Sequence, residues 1–229
     1  QTLGQELYEI LVINNGTSDD TRRAVEKLNS EGGKKILYFA EEKPGLHNAR
    51  HRGIKESKGE ILAFTDDDTE TDSRWLEETL ESFEKYSAVL AGGKIVPEYK
   101  SPPPRWIGPL WRSNEYGRYL GYLTLMDLGD KTKEIPPDYV WGANFSIRRK
   151  ILIECGGFHP DAFPESMIRY RGDGESALAL AVAKTGGKII YNPKSIVHHI
   201  IPGGHLKIKY FRHRAFLQGI SDSFTEILN

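Results

Sequence analysis

The chain has 229 residues, 38% of them hydrophobic and 28% charged, which is the profile of a soluble globular chain able to bury a sizeable core. Lys and Arg number 31 against 32 Asp and Glu, so no net field draws it to nucleic acid or a membrane, and any charged site has to be local. A single cysteine, Cys155, excludes an internal disulfide framework. No apolar run approaches the ~20 residues of a transmembrane helix, and the opening QTLGQELYE lacks the features of a signal peptide. The expected location is the cytoplasm, with peripheral membrane contact left open.

Residues 8–13 (YEILVI) form a short β-branched run closed by the turn cluster NNGTSDD, and predict a strand. Ser18 can cap a helix that carries Asp19 and Asp20 in its first turn and sets Ala24, Val25 and Leu28 on one face. ILYFA at 36–40 predicts a second strand, and KPG at 43–45 precedes a helix with Leu46, Ala49, Gly53 and Ile54 at helical spacing. KGEILAFT predicts a third strand, running into Asp66, Asp67 and Asp68. A charged helix with a Leu76, Leu80, Phe83 stripe follows, then short strands within 88–97. Strands alternating with helices, and apolar almost throughout, predict an α/β fold with a mostly parallel sheet covered on both faces.

The character changes at Pro97. Residues 97–140 carry PPP, Pro109 and PP at 136–137 together with Trp106, Trp111, Tyr116, Tyr119 and Tyr122. So aromatic a connection is no plain linker; it either packs on the sheet as extra core or carries function. Beyond it, KILIECGGF predicts a helix ended by glycines, and ESALALAVAKTGG a helix from near Glu175 to Gly186 and Gly187. The tail reads as a strand, a turn at 202–204 and a basic, aromatic helix.

Three adjacent carboxylates repel one another, so their place needs a reason. In an open α/β sheet ligands sit outside the carboxyl ends of strands, and Asp66 to Asp68 lie at such an end. Carboxylate oxygens suit Mg²⁺ or Mn²⁺, whose shell is completed by substrate phosphates and water. Two alternatives stand beside this. One is a solvated turn leading into the next helix, with Asp72 as its cap. The other is a calcium loop with Asp66, Asp68, Glu70, Asp72 and Glu77 as ligands, weakened by Thr71 in the place of the turn glycine.

The serial order of YEILVINNGTSDDT, EKPGLHNARHRGIKESKGEILAFTDDDTETDSRWLEE, WGANFSIRR, ECGGF and GESALALAVAKTGGKIIYNPKSIVHH resembles the family 2 glycosyltransferases with the GT-A fold. That resemblance spans nearly the whole chain. It implies one domain over 1–229, with a nucleotide-sugar half at 1–96, the aromatic connection at 97–140 and an acceptor-side half at 141–229. It also implies an inverting transfer from a nucleotide-diphosphate sugar to a saccharide or other hydroxyl acceptor, of the kind used in polysaccharide biosynthesis. By it Asp68 is a metal ligand, Asp66 touches the metal or the nucleotide ribose, and Asp67 fills the middle place. Arg50 adds a donor for the phosphates, or is a surface arginine. Asn14 and Asn15 match a position near the nucleotide base; Asn15 suits a turn as well.

An inverting transfer needs a base for the acceptor hydroxyl. Matching the family's acidic pair back from Tyr191 puts Gly174 under the first acid and Glu175 under the second. Glu175 is therefore the expected base, with Asp173 supplying the missing partner acid. By spacing, His199 matches a histidine that approaches the metal or phosphates. Trp141 and Asn144 resemble the acceptor-side segment. The family normally starts one strand and one helix earlier, so the chain is expected to lack the usual first strand and to leave YEILVI with an unpaired edge. The rival readings are a nucleotidyltransferase, which would want a glycine-rich phosphate loop that the sequence does not contain, and a non-catalytic carbohydrate- or calcium-binding module.

Overall fold

In the computed structural model, residues 1–16, 20–33 and 35–228 are described. The apolar runs become strands where expected. β1 (Ile10–Asn15), α1 (Thr21–Ser30), β2 (Ile36–Glu41) and α2 (Leu46–Glu56) open the chain. Ser18 and Asp19 lie outside the described residues. β3 (Ile61–Phe64), the short β4 (Thr69–Thr71) and α3 (Trp75–Glu84) follow, and then β5, a single 12-residue strand over Ala88–Tyr99 where two short ones are expected.

Residues 97–140 are not a loop. They supply β6 (Arg112–Asn114), β7 (Gly117–Leu120), β8 (Leu125–Asp127) and β9 (Lys133–Glu134), and they fill the core with Ile107, Leu120, Leu123, Leu125 and Met126, all at most 2% exposed. Next come β10 (Phe145–Arg148), α4 (Arg149–Glu154), α5 (Ser176–Lys184), the 14-residue β11 (Lys188–Ile201) and α6 (Ile208–Leu228). No helix among the described residues is long and apolar enough to cross a membrane.

The main sheet runs β3-β10-β5-β8-β7-β6, with β11 on the other edge of β5 and joined there by β4 and β9. Its strand directions correct the expectation of a mostly parallel sheet. Only β5 and β11 pair parallel within it; β10 pairs antiparallel with both β3 and β5, and β6, β7 and β8 form antiparallel neighbours. The alternation of strand and helix does set β3 and β5 in the same direction, but β10 returns from far along the chain to sit between them. The short connections of 112–127 allow only antiparallel neighbours.

β1 and β2 pair in parallel as a separate two-stranded sheet. Among the described residues β1 pairs only with β2 and β3 only with β10, so each has an open edge. The Glu9 carboxylate accepts the backbone N–H groups of Lys58 and Gly59 and so ties the starts of β1 and β3 together. Where β5 and β11 change register between Asn192 and Ile196, a Cβ on Gly93 would land on the Ser195 carbonyl; only glycine lets the two backbones approach there.

Candidate active site

β3 ends at Phe64, and the turn that follows is fixed by its own hydroxyls. Thr65 Oγ1 donates to the Ala143 carbonyl at 3.1 Å and Thr69 Oγ1 to the Asp66 carbonyl at 2.6 Å. β4 then pairs antiparallel with β11, setting Thr69 opposite His199, and the Ile200 N–H donates to the Asp68 carbonyl at 2.8 Å. This register places His199 Nε2 3.1 Å from Asp68 Oδ2. His199 Nδ1 lies 2.8 Å from the Leu123 carbonyl, which can only accept, so Nδ1 carries a proton. Burial alone would lower the His199 pKa, but the Asp68 carboxylate outweighs it and the ring is raised above its usual value. The same hydrogen bond, opposed by burial, holds Asp68 below the usual carboxylate range.

α2 and the start of α5 contribute the other half. Arg50 is buried at 7% exposure, with its guanidinium over the Phe158 ring at 4.8 Å. Its Nη1 lies 3.2 Å from Glu175 Oε2 and its Nη2 3.9 Å from Asp66 Oδ1. The backbone N–H of Gly142 donates to Glu175 Oε1 at 3.0 Å. Burial pushes Glu175 up, yet the Arg50 charge and the Gly142 N–H outweigh it and keep the carboxyl below its usual value. At Asp66 the compensation falls short. Burial, helped by Glu175 and Asp68 and opposed by Arg50, pushes it up to about 6.

Asp66, Asp68, His199, Arg50 and Glu175, drawn from four elements, thus form one connected polar group. The other expected residues are placed differently. Asp67 is exposed beside the group, and Asn14 is buried at the end of β1. Asn15 serves a turn: its amide donates to the carbonyls of Glu41 and Lys43 and accepts the Gly45 N–H. Trp141 is half-buried, edge-on to Tyr119, with its indole N–H spent on the Asp138 carbonyl at 2.8 Å.

Two placements are corrections. Asn144 is held inside the fold, with its amide spent on neighbouring elements. It is 1% exposed, accepts the Trp75 indole N–H at 3.0 Å and donates to the Ser195 carbonyl at 2.9 Å, clamping α3 to β11. Asp173 does not join Glu175. Its carboxylate meets His159 Nδ1 at 2.8 Å and accepts the Thr225 hydroxyl at 2.8 Å, bracing the segment before α5 against α6. Gly174 between the two acids has φ +60, which turns successive side chains apart.

Asp72 serves the start of α3, accepting the Arg74 N–H. The calcium-loop ligands do not converge: Glu70 sits in β4, and Glu77 is spent on Thr2 and Arg74. Among the described residues no group of three His, Cys, Asp or Glu side chains converges as a metal site, so Asp68 and His199 stand as a pair. Two contributors escape sequence reasoning, the Gly142 N–H and the Phe158 ring under Arg50; their only trace is the glycine of WGANF and the aromatic after CGG.

The sequence pattern of glycosyl transferase family 2 matches residues 1–156. Among curated relatives the chain is 22% identical over 224 residues to a glucosyl-dolichyl phosphate glucuronosyltransferase of Haloferax volcanii, covering 97% of this chain and 69% of the relative. It is 26% identical over 210 residues to the succinoglycan biosynthesis protein ExoM of Rhizobium meliloti, covering 92% and 62%. Among solved structures, Staphylococcus (S.) aureus TarS 1-349 in complex with UDP-GlcNAc superimposes with a TM-score of 0.64 at 13% identity, over 88% of this chain and 52% of that one. GalNAc-T7 with UDP, GalNAc and Mn²⁺ superimposes with a TM-score of 0.57 at 15% identity, over 91% and 41%. The chain thus spans about half the length of these solved chains, and the shared feature is the α/β GT-A fold, a central sheet flanked by helices.

Proposed function

The chain belongs to glycosyl transferase family 2, and from that premise we propose that it transfers a sugar, with inversion, from a nucleotide-diphosphate donor to a hydroxyl of a saccharide or similar acceptor. The observation that carries this reading is Glu175, a carboxylate held ionised by Arg50 and the Gly142 N–H on one side of a group whose other side is Asp68 and His199. Residues to about 96 hold the nucleotide, and the later half brings the base.

The donor pair Asp68 and His199, with Asp66 beside it, fits a small divalent cation such as Mn²⁺ or Mg²⁺. Such cations are bound through one or two protein groups, with phosphates and water completing the shell. When bound, the cation stabilises negative charge on the leaving diphosphate. GalNAc-T7 with UDP and Mn²⁺ and TarS with UDP-GlcNAc support a nucleotide-sugar donor and a metal by likeness of fold.

The steps assigned to this chain's residues are short. Glu175 accepts the proton of the acceptor hydroxyl; that oxygen bonds the anomeric carbon from one face while the nucleoside diphosphate leaves from the other with the bonding electrons. Arg50 keeps Glu175 charged before the proton arrives and balances the carboxylates of Asp66 and Glu175. The test is Glu175→Gln, assayed for transfer against a panel of nucleotide sugars. Transfer should drop by about 10²–10⁴-fold with nucleotide affinity little changed; an undiminished rate removes Glu175 from this role.

A further inference from the structure

Between Glu175 and Asp222 the sequence holds seven lysines and arginines and no aspartate or glutamate, in a chain with 31 basic against 32 acidic residues overall. Four of the seven, Lys207, Lys209, Arg212 and Arg214, fall at the start of α6. Elsewhere helix cations are neutralised locally: Arg22 pairs with Glu26 on α1, Arg52 with Glu56 on α2 and Lys150 with Glu154 on α4, each one turn away. α6 has no acid within a turn of Lys209 or Arg212, and among the described residues neither enters an ion pair. Cations gathered on one surface without acids of their own are complementary to an external anion.

α6 is also apolar on two sides. Phe211, 7% exposed, turns inward and packs edge-on against Trp106 and Tyr122, with ring centroids 5.0 and 5.9 Å away. Ile208 and Phe216 turn outward, 64% and 60% exposed. Ile208, Arg212 and Phe216 recur every four residues, and Lys209 lies three before Arg212, so apolar and cationic side chains share one face. Trp106, in the short 3-10 helix Arg105–Leu110, remains 36% exposed beside the same turns of α6. Toward the C-terminus Phe216 also lines an open groove with Gly219, Ile220 and Ile227. The acids of the helix, Asp222 and Glu226, enter only in its last two turns.

Nucleic acid would satisfy the cations of this face but leave Ile208 and Phe216 in water. A second copy laid on the same face by a two-fold axis would set the cations against their own counterparts. A bilayer surface with anionic headgroups satisfies both sets, because apolar side chains reach the acyl boundary while Lys and Arg stay among the headgroups. We propose that the outward face of α6, centred on Ile208, Lys209, Arg212 and Phe216, docks the protein on an anionic lipid surface. This goes beyond sugar transfer and does not depend on it. β11, which carries His199, leads into α6 through the turn at Pro202, so the docked helix and the candidate site share one segment of chain.

The test is flotation of the whole chain with two kinds of vesicle, phosphatidylcholine alone and phosphatidylcholine with about one third phosphatidylglycerol. Wild type is expected to float with the anionic vesicles and not with the neutral ones, and to be released as salt is raised. Lys209→Glu/Arg212→Glu should weaken binding by roughly 10- to 100-fold and Phe216→Ser by about tenfold, with unfolding midpoints unchanged because all three side chains are exposed. Lys55→Glu/Lys150→Glu makes the same change in net charge at exposed positions of α2 and α4 and should float like wild type; an equal loss in that variant overturns the assignment to α6. A wild type that floats with neither vesicle, or with both alike, overturns the proposal. So does a chain that never floats but forms a dimer which Phe216→Ser dissolves, since that gives the face to a second copy. No transfer is measured, so each of these failures leaves the glycosyltransferase reading to its own test at Glu175.

Discussion

Arg50 and Glu175 are 125 residues apart in sequence and 3.2 Å apart in the fold, and the pair is sealed by Phe158 beneath the guanidinium. Because burial alone would raise Glu175, its ionised state depends on this arginine. Removing Arg50 leaves burial as the main influence, and the carboxyl then rises. Arg50→Met should therefore move the acid limb of the kcat/KM profile upward by about one pH unit or more. A limb that stays in place removes Arg50 from that role, whatever the loss in rate.

The other partner of Glu175 is a backbone N–H. A Cβ on Gly142 would land on Arg50 Nη2 and stand 3.2 Å from Glu175 Oε1, in a place where neither can retreat without breaking the pair. Gly142→Ala should cost activity by about tenfold or more while stability falls only by the ~1–3 kcal/mol typical of overpacking. Transfer rate and denaturant midpoint, measured on the same preparation, check both halves. Full activity would mean that the pair has slack that the geometry does not suggest.

His47 and His51, one turn apart on α2, each accept a backbone N–H through a ring nitrogen that must be unprotonated: His47 Nδ1 from Asp161 at 3.2 Å and His51 Nε2 from Phe158 at 3.0 Å. Burial lowers both, with Asp161 opposing it at His47 and the charge of His47 adding to it at His51. Their folded pKa values lie below the unfolded one, so the unfolded chain binds more protons and stability falls as pH drops through about 6.5. Thermal midpoints taken from pH 7.5 down to 5.5 carry this decline in wild type, set against the opposite contributions of Asp66 and His199, whose folded pKa values are raised. The decline should be shallower in His47→Asn/His51→Gln, whose amide oxygens accept the same N–H groups without titrating; parallel slopes would clear the histidines of this role.

Much of this was legible in the sequence, and the losses have a common cause. Strands announce themselves by short apolar runs, so β1, β2, β3 and the β5 region were readable, as was Asp66 to Asp68 at a strand end. Their partners were not. The sheet is mixed because β10, more than 80 residues after β3, inserts beside it, and no local pattern reports such a pairing. The same holds for side chains. Asp173 faces Thr225 and Asn144 faces Trp75 and Ser195, so what looks like chemistry in a motif becomes structure once distant residues arrive. Gly142 acts through its backbone N–H, which every residue except proline carries, and so leaves no side-chain signature.

The separate β1–β2 sheet sets an order of local stability. Among the described residues its strands are bonded on one edge each and bury few side chains fully, whereas β5 and β11 carry paired neighbours on both edges along much of their length and line the core. Backbone amides of 10–15 and 36–41 should exchange faster than those of 88–97 and 189–200 by about 10²-fold or more, the spread expected between sub-global and global opening. Hydrogen-exchange mass spectrometry reads this directly, and equal protection would mean that the two sheets unfold as one unit.

Asn144 separates structure from chemistry most cleanly. Its amide satisfies a buried indole N–H and the buried Ser195 carbonyl, and a weaker contact reaches the Lys94 carbonyl at 3.4 Å. Asn144→Ala strands both main partners at once, each costing ~1–3 kcal/mol, so a loss of about 2–6 kcal/mol is expected in chemical denaturation. Asn144→Asp should fare as badly, since it keeps the acceptor for Trp75 but sets a carboxylate against the Ser195 carbonyl. If the residue instead met an acceptor sugar, the variants would keep their stability and lose acceptor affinity. Because Asn144 points into the α3–β11 seam, the expected result is the reverse: KM for the acceptor nearly unchanged in whatever fraction remains folded, and a midpoint shifted far to lower denaturant.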